Sequence, residues 1–150
     1  MTEIKLQAIP VKDKEENRVF LDQYLEELSA FGEFDLTYPF FDMYWQETDY
    51  WPYWIISGET KIGFIFVNQV SPFGNEVNYF LAEFYILPKY RKQGFGEAAF
   101  KEITSLHAGH WELAFFIHHE AAKTFWSKAV KDLPHHYKNH EKVIILQFET

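Results

Sequence analysis

The stretch YILPKYRKQGFGEAAF, Tyr85 to Phe100, runs an apolar segment into a cationic turn and then straight into a helical pattern. Lys89, Arg91 and Lys92 precede two glycines, Gly94 and Gly96, set two residues apart. A helix start carries N–H groups without intrahelical partners and the positive end of the helix dipole, so a glycine-spaced turn there suits a phosphate. A P-loop needs G-x-x-x-x-G-K-S/T, and that pattern is absent. A dinucleotide fingerprint, G-x-G-x-x-G/A, is met in spacing by Gly94, Gly96 and Ala99. That fingerprint belongs to the first strand of a parallel sheet, however, and this turn stands later in the chain.

Working outward from the turn, the helix it opens is expected over Gly94–His107. WELAFFI then reads as a strand, Glu120–Asp132 as a last long helix and KVIILQF as a closing strand. Upstream, IKLQAIP reads as a first strand. Glu15–Leu28 is helical, with Val19, Phe20, Leu25 and Leu28 at helical spacing. A second helix is expected from about Phe40 to Glu47. YWIIS and KIGFIFVNQV form a hairpin about Gly58 and Glu59, and VNYFLAEFYIL follows after the turn SPFGNE. Three successive strands joined by short turns make an antiparallel meander. The strand–helix–strand passage after it makes its two strands parallel, with a right-handed crossover. The expected fold is a single α/β domain over residues 1–150, its mixed sheet covered by helices on both faces. The glycine turn then lies at the carboxyl end of a parallel strand, where ligands of open α/β sheets bind.

Composition narrows the partners. At 150 residues the chain is long enough for one buried core. It has no cysteine, which excludes disulfides, thiolate metal sites and a cysteine nucleophile. A net charge of −8 argues against nucleic acid and against anionic membrane surfaces. No apolar run is long enough to cross a bilayer and MTEIKLQAIPVK lacks the features of a leader, so a cytoplasmic location is expected. Of the histidines (His107 with His110, His118 with His119, and His135, His136 and His140) only His118 and His119 lie near the turn's expected site, with no carboxylate at a metal-ligand spacing except Glu120. Adjacent side chains point apart, so no metal is expected. Aromatic residues make up 20% of the chain, and nine of them fall in the seventeen residues Tyr38–Trp54, interleaved with Asp42, Glu47 and Asp49. Tyrosine and tryptophan need polar partners when buried, so this segment reads as part core and part pocket wall.

Two segments together resemble the GNAT superfamily of acyl-CoA-dependent N-acetyltransferases. The first is the opening stretch, where Ile86, Pro88, Arg91, Gly94 and Gly96 match an apolar strand ending V-x-P followed by R/Q-x-x-G-x-G/A and a helix. The second, HEAAKTFWSK, is similar to N-x-x-A-x-x-F/L-Y/W-x-K/R through Ala122, Phe125, Trp126 and Lys128. The chain further resembles a small bacterial branch of predicted acetyltransferases in AEFYILPKYRKQGFG, HWEL and AKTFWSK. The likeness is close from Val77 to Lys131; before that only the element order agrees.

The resemblance implies acetyl-CoA as co-substrate. Backbone N–H groups of Lys92, Gln93, Gly94, Phe95, Gly96 and Glu97, with Arg91 beside them, would cradle its pyrophosphate. The strand edge at Phe84, Tyr85 and Ile86 would pair with the pantetheine and the acetyl carbonyl. His119 stands where the family has a pantetheine-binding asparagine, and Trp126 where it has the tyrosine that protonates the departing thiolate. An indole cannot serve as that acid. An amine acceptor arrives as ammonium and needs a base. Glu83, a lone carboxylate in an apolar strand beside the acetyl site, is the first candidate, weighed against a carboxylate that pairs with a nearby Lys, Tyr or Trp to brace the core. Glu112 is the second, weighed against a solvated strand end. A small cationic acceptor would enter over the aromatic segment, with Tyr38, Asp42, Tyr44 and Asp49 as contacts. A homodimer is compatible with this reading. An acyl-CoA-binding module without turnover, or a sensor domain that has lost its coenzyme, would carry the same motifs.

Overall fold

The computed structural model describes residues 3–150. Its strands are β1 (Lys5–Ala8), β2 (Trp51–Ser57), β3 (Thr60–Asn68), β4 (Tyr79–Ile86), β5 (His110–Phe116), β6 (His135–His140) and β7 (Val143–Glu149). Its helices are α1 (Lys14–Leu28), α2 (Met43–Gln46), α3 (Phe95–Leu106) and α4 (Glu120–Ala129). The strands form one sheet in the order β1-β2-β3-β4-β5-β7-β6. Neighbours are antiparallel except β4 and β5, which are parallel across the α3 crossover.

Alternation along β3 divides the core between the two faces of the sheet. Phe64 and Phe66 pack with Leu21 and Leu25 of α1, Tyr44 of α2 and Tyr85. Ile65 and Val67 pack on the other side with Phe100 and Ile103 of α3 and Trp126 of α4. The side chains at the centre are wholly buried aromatics and β-branched residues, which fit a pleated surface covered on both sides. Along α1 the buried stripe is Asn17, Leu21 and Leu25. Val19, expected in that stripe, is 56% exposed.

Two irregularities in the sheet position the site. In the β3–β4 ladder Phe66 pairs with Glu83 but Val67 pairs with Leu81, so Ala82 is an extra residue and β4 carries a bulge there. A regular strand would put Glu83 on the face of Leu81. The bulge turns Glu83 and Tyr85 toward α1, while Leu81, Phe84 and Ile86 pack toward α3 and α4. Second, β4 and β5 pair only at Tyr79–Trp111 and Phe80–Glu112. Beyond those pairs the two strands diverge and leave a slot in the middle of the sheet.

Two expectations need correction. The helix expected over 40–47 is a single turn, Met43–Gln46, preceded by turns through which Phe41, Met43, Tyr44 and Trp45 bond back three residues. The strand β6 was not foreseen; its sequence, HHYKNH, is exposed at every position and so has no apolar alternation to reveal it. No described helix is long and apolar enough to cross a membrane.

Candidate active site

The slot between β4 and β5 opens into a cavity of about 770 Å³, within the usual range for small-molecule sites. One wall is the β4 edge, Phe84, Tyr85 and Ile86; another is the glycine turn, Arg91, Lys92, Gly94, Gly96 and Glu97. His119, Ala122, Phe125 and Trp126 of α4 and its start close the third side. Tyr24, Glu27 and Leu28 of α1 close the fourth.

The turn is built for close approach. After the short 3-10 turn Pro88–Tyr90, Lys92 and Gly94 take left-handed conformations, with φ of 61° and 86°. Gly94 then serves as the N-cap of α3, a position with no side-chain cap, so the first N–H groups of the helix are left for another acceptor. Gly96 has a second duty. A Cβ there would lie 2.7 Å from the Phe125 ring, so the missing side chain also lets α3 and α4 converge at the mouth. Lys128 of α4 reaches Glu97 of α3 at 3.1 Å across that convergence.

Arg91 is held on both sides. Its Nε donates to the Ile86 carbonyl at 2.8 Å, and its two terminal nitrogens donate to Glu27 at 2.5 and 2.8 Å. This fork ties the turn to α1 and keeps the Glu27 carboxyl below its usual range, through the hydrogen bond from Arg91. His119 stacks on Phe31, ring centroids 3.9 Å apart. Burial lowers its affinity for a proton, partly offset by Glu27, so the imidazole is neutral near pH 7.

Glu83 stands where the slot meets the α1 side. The Tyr38 hydroxyl donates to its carboxylate at 2.7 Å, and the Tyr24 hydroxyl also interacts with it. Burial raises its pKa to about 7, with the two phenols pulling the other way. Both phenols are pushed up, first by burial and then by Glu83, so they stay protonated and act as donors. Glu83, Tyr24, Leu81, Ala82 and Phe84 border a second, smaller cavity of about 190 Å³, here called the inner one, which shares Tyr24, Leu28, Phe84, His119, Ala122 and Trp126 with the first.

Of the residues expected to hold a coenzyme, Phe84, Tyr85, Ile86, Arg91, Lys92, Gly94, Gly96, Glu97, His119 and Trp126 line the outer cavity. Gln93 and Phe95 do not. Gln93 donates to the Lys89 carbonyl at 3.1 Å, and Phe95 packs edge-on to Tyr90. Glu112 is not a solvated strand end. It is wholly buried beside the β4–β5 junction, accepts hydrogen bonds from Ser71, Asn75 and Gln147 at 2.5, 2.7 and 2.9 Å, and borders neither cavity.

The aromatic segment divides differently from the expectation. Only Tyr38 reaches the site, through Glu83. Tyr44 is buried, stacks on Phe66 and accepts a hydrogen bond from Asn68 at 3.1 Å. Asp42 pairs with Lys14 at 2.7 Å, and Asp49 borders neither cavity. Two of the rings are already faced by cations of the chain itself: Lys14 lies 5.5 Å from Phe41 and from Trp45, and Arg18 lies 5.2 Å from Phe41. Tyr24 and Glu27 were missed, although Tyr24, Glu27 and Leu28 share one helical face by their i, i+3, i+4 spacing. Among the described residues no group of three or more His, Asp or Glu could hold a metal ion.

The sequence profile of the acetyltransferase (GNAT) family matches residues 20–130. No curated relative matches the chain. Among solved structures, the chain is similar to PaiA N-acetyltransferase from Thermoplasma acidophilum in complex with coenzyme A, at 14% identity and a TM-score of 0.70 over 99% of both chains. It is also similar to an acetyltransferase from Thermus thermophilus, at 16% identity and a TM-score of 0.72, covering 98% of this chain and 97% of that one. A third is diaminobutyrate acetyltransferase EctA from Paenibacillus lautus, in complex with L-2,4-diaminobutyric acid and coenzyme A. It shares 13% identity, with a TM-score of 0.67 over 99% of this chain and 96% of that one.

Proposed function

The chain belongs to the GNAT acetyltransferase family, and from that premise we propose that it moves an acetyl group from acetyl-CoA to the nitrogen of a small cationic primary amine. The observation that carries the reading is Glu83, a buried carboxyl raised to about 7, lining the smaller of two cavities that share Tyr24, Phe84 and Trp126, the larger of which is walled by an uncapped helix start. The pyrophosphate of the coenzyme rests on the N–H groups at the start of α3, beside Lys92. The pantetheine runs along Phe84–Ile86 in the slot, bringing the thioester level with Glu83.

The acceptor arrives as ammonium, with a pKa near 10, and must lose a proton to attack. A base with a pKa close to 7 is ionised often enough at neutral pH and still holds a proton well. An ammonium gives up two protons on becoming an amide: the first passes to solvent as the acceptor enters, and Glu83 takes the second as the nitrogen bonds to the thioester carbon. Collapse of the tetrahedral species breaks the carbon–sulfur bond and releases a thiolate. Trp126 occupies the place of the family's acid but cannot give up a proton. Tyr24 lines both cavities and interacts with Glu83. Its phenol alone is too weak an acid, so its proton moves to sulfur as the proton on Glu83 replaces it. The net transfer runs from a group of pKa about 7 to a thiol near 8.5, which is downhill.

The test combines calorimetry with coenzyme A and thiol release from acetyl-CoA over a panel of amines that includes diamines, amino sugars and acidic amino acids. Binding together with thiol release that requires a cationic amine is the expected result. Binding with no thiol release from any amine would make the chain an acyl-CoA-binding module; no binding would remove the coenzyme altogether. A preference for acidic amines would overturn the acceptor class alone.

A further inference from the structure

Resting on the coenzyme reading of the outer cavity, we propose that the inner cavity is an acyl pocket for uncharged, straight-chain acyl groups longer than acetyl, up to about five carbons. The two cavities share Phe84, Ala122 and Trp126, so a thioester placed along the β4 edge has its acyl group at the entrance of the inner one. Its lining follows both diverging strands, Leu81 to Phe84 on β4 and Leu113 to Phe116 on β5, just beyond the Phe80–Glu112 pair where the sheet is closed. Leu81 and Leu113 wall it from the two diverging strands, and Ala82 and Ala114 keep it open because neither side chain extends past a methyl.

Size sets the chain length. At roughly 30 Å³ for each water-sized group, about 190 Å³ holds about six non-hydrogen atoms. A five-carbon acyl group with its carbonyl oxygen fills that space, whereas acetyl fills about half of it. Partly filled apolar space forfeits contacts on its unfilled side, so added methylenes gain affinity until the end wall is met.

Charge sets the acyl type. Among the described residues no Lys or Arg lines the inner cavity, and His119, its one imidazole, is held neutral by burial. The group in it that ionises near neutral pH is the Glu83 carboxyl. An acyl chain ending in a carboxylate would meet that charge in an apolar space with no cation to pair with, so dicarboxylic acyl groups are disfavoured.

The experiment is calorimetric binding of free coenzyme A and of its acetyl, butanoyl, hexanoyl and succinyl thioesters, with no amine present. Leaving the acceptor out makes any dependence on the chain a property of the acyl site. Affinity should rise about fourfold per methylene from acetyl to butanoyl. It should gain no further from butanoyl to hexanoyl at that rate, and succinyl should bind more weakly than butanoyl. Ala114→Val adds bulk on a strand that favours β-branched residues. It should lower the ratio of butanoyl to acetyl affinity by tenfold or more. Equal or falling affinity from acetyl to butanoyl in the unaltered protein overturns the proposal, whatever the variant does. Free coenzyme A that binds while the thioesters show no chain dependence sinks the acyl pocket alone. Failure of free coenzyme A to bind sinks the coenzyme reading and this proposal with it.

Discussion

Glu83 owes its usefulness to a single extra residue in its own strand. Without the bulge at Ala82 it would face the α3 side, away from Tyr38 and Tyr24. On the α1 side, burial lifts its pKa to about 7 while the two phenols hold it from rising further. In the pH profile, kcat/KM should therefore rise tenfold per pH unit below about 7 and level off above it. Tyr38→Phe removes a donor that favours the carboxylate, so the same limb should move to higher pH. Glu83→Gln should cost on the order of a hundredfold in kcat, the usual contribution of a positioned base. It should abolish the limb and leave coenzyme affinity within about twofold. A stability readout follows from the same shift. The folded pKa lies above the ordinary value of 4.5, so the folded state binds the proton more tightly. Glu83 thus favours folding at low pH, and that advantage is lost as pH rises from about 4.5 through about 7. The melting temperature of Glu83→Gln relative to the parent should accordingly be higher at pH 8 than at pH 5. Parent-like turnover in Glu83→Gln, with the limb intact, would mean that water or another group accepts the proton.

At the scale of elements, the parts that were legible in the sequence are those with a period or a turn signal. The meander, the α3 crossover and the closing strand alternate or bound themselves with glycine, and the sheet order from β2 to β5 follows from their connections. The bulge left no such mark, because AEF reads as an ordinary strand until its partner is known. The edge strand β6 was hidden for the opposite reason, since polar residues at every position are what a sheet edge tolerates and what a loop also contains. Glu112 shows how a chemically suggestive residue can serve an element instead. Its carboxylate collects Ser71 and Asn75 from the β3–β4 loop and Gln147 from β7, and so fastens that loop over the closed end of the slot. Glu112→Ala leaves those three donors without their acceptor and should lower the unfolding free energy by about 2–4 kcal/mol, read from urea denaturation. Glu112→Gln keeps the shape and should recover part of that loss. Neither should shift the pH limb near 7; a limb that disappeared in folded Glu112→Gln would return the role of base to this residue.

The whole molecule sets how the two substrates arrive. The chain carries a net charge of −8, and in the wall of the outer cavity Arg91 is balanced by Glu27 and Lys128 by Glu97. An anionic coenzyme is therefore met there by Lys92 and the N–H groups of the helix start rather than by a net positive wall. The acceptor meets the global field. The carboxylates expected to hold it directly are spent or distant: Asp42 is paired with Lys14, and Asp49 borders neither cavity. Phe41 and Trp45 already face Lys14, and Phe41 also faces Arg18. On the proposed reading, a cationic amine is attracted by Glu83 at the point of reaction and by the summed charge of the surface on the way in. Such steering acts over a Debye length, about 10 Å at 0.1 M salt and 3 Å at 1 M, and its strength grows with the charge of the incoming molecule. The KM for a diamine should therefore climb with ionic strength more steeply than the KM for a monoamine of similar length. Asp42→Asn should change either value little, because it removes a carboxylate whose charge Lys14 already balances. Steady-state kinetics at several salt concentrations, with saturating acetyl-CoA, gives both slopes in one series. Equal slopes would mean that the acceptor is held by contact alone, and a large rise in KM on Asp42→Asn would put the aromatic segment back in direct contact with the substrate.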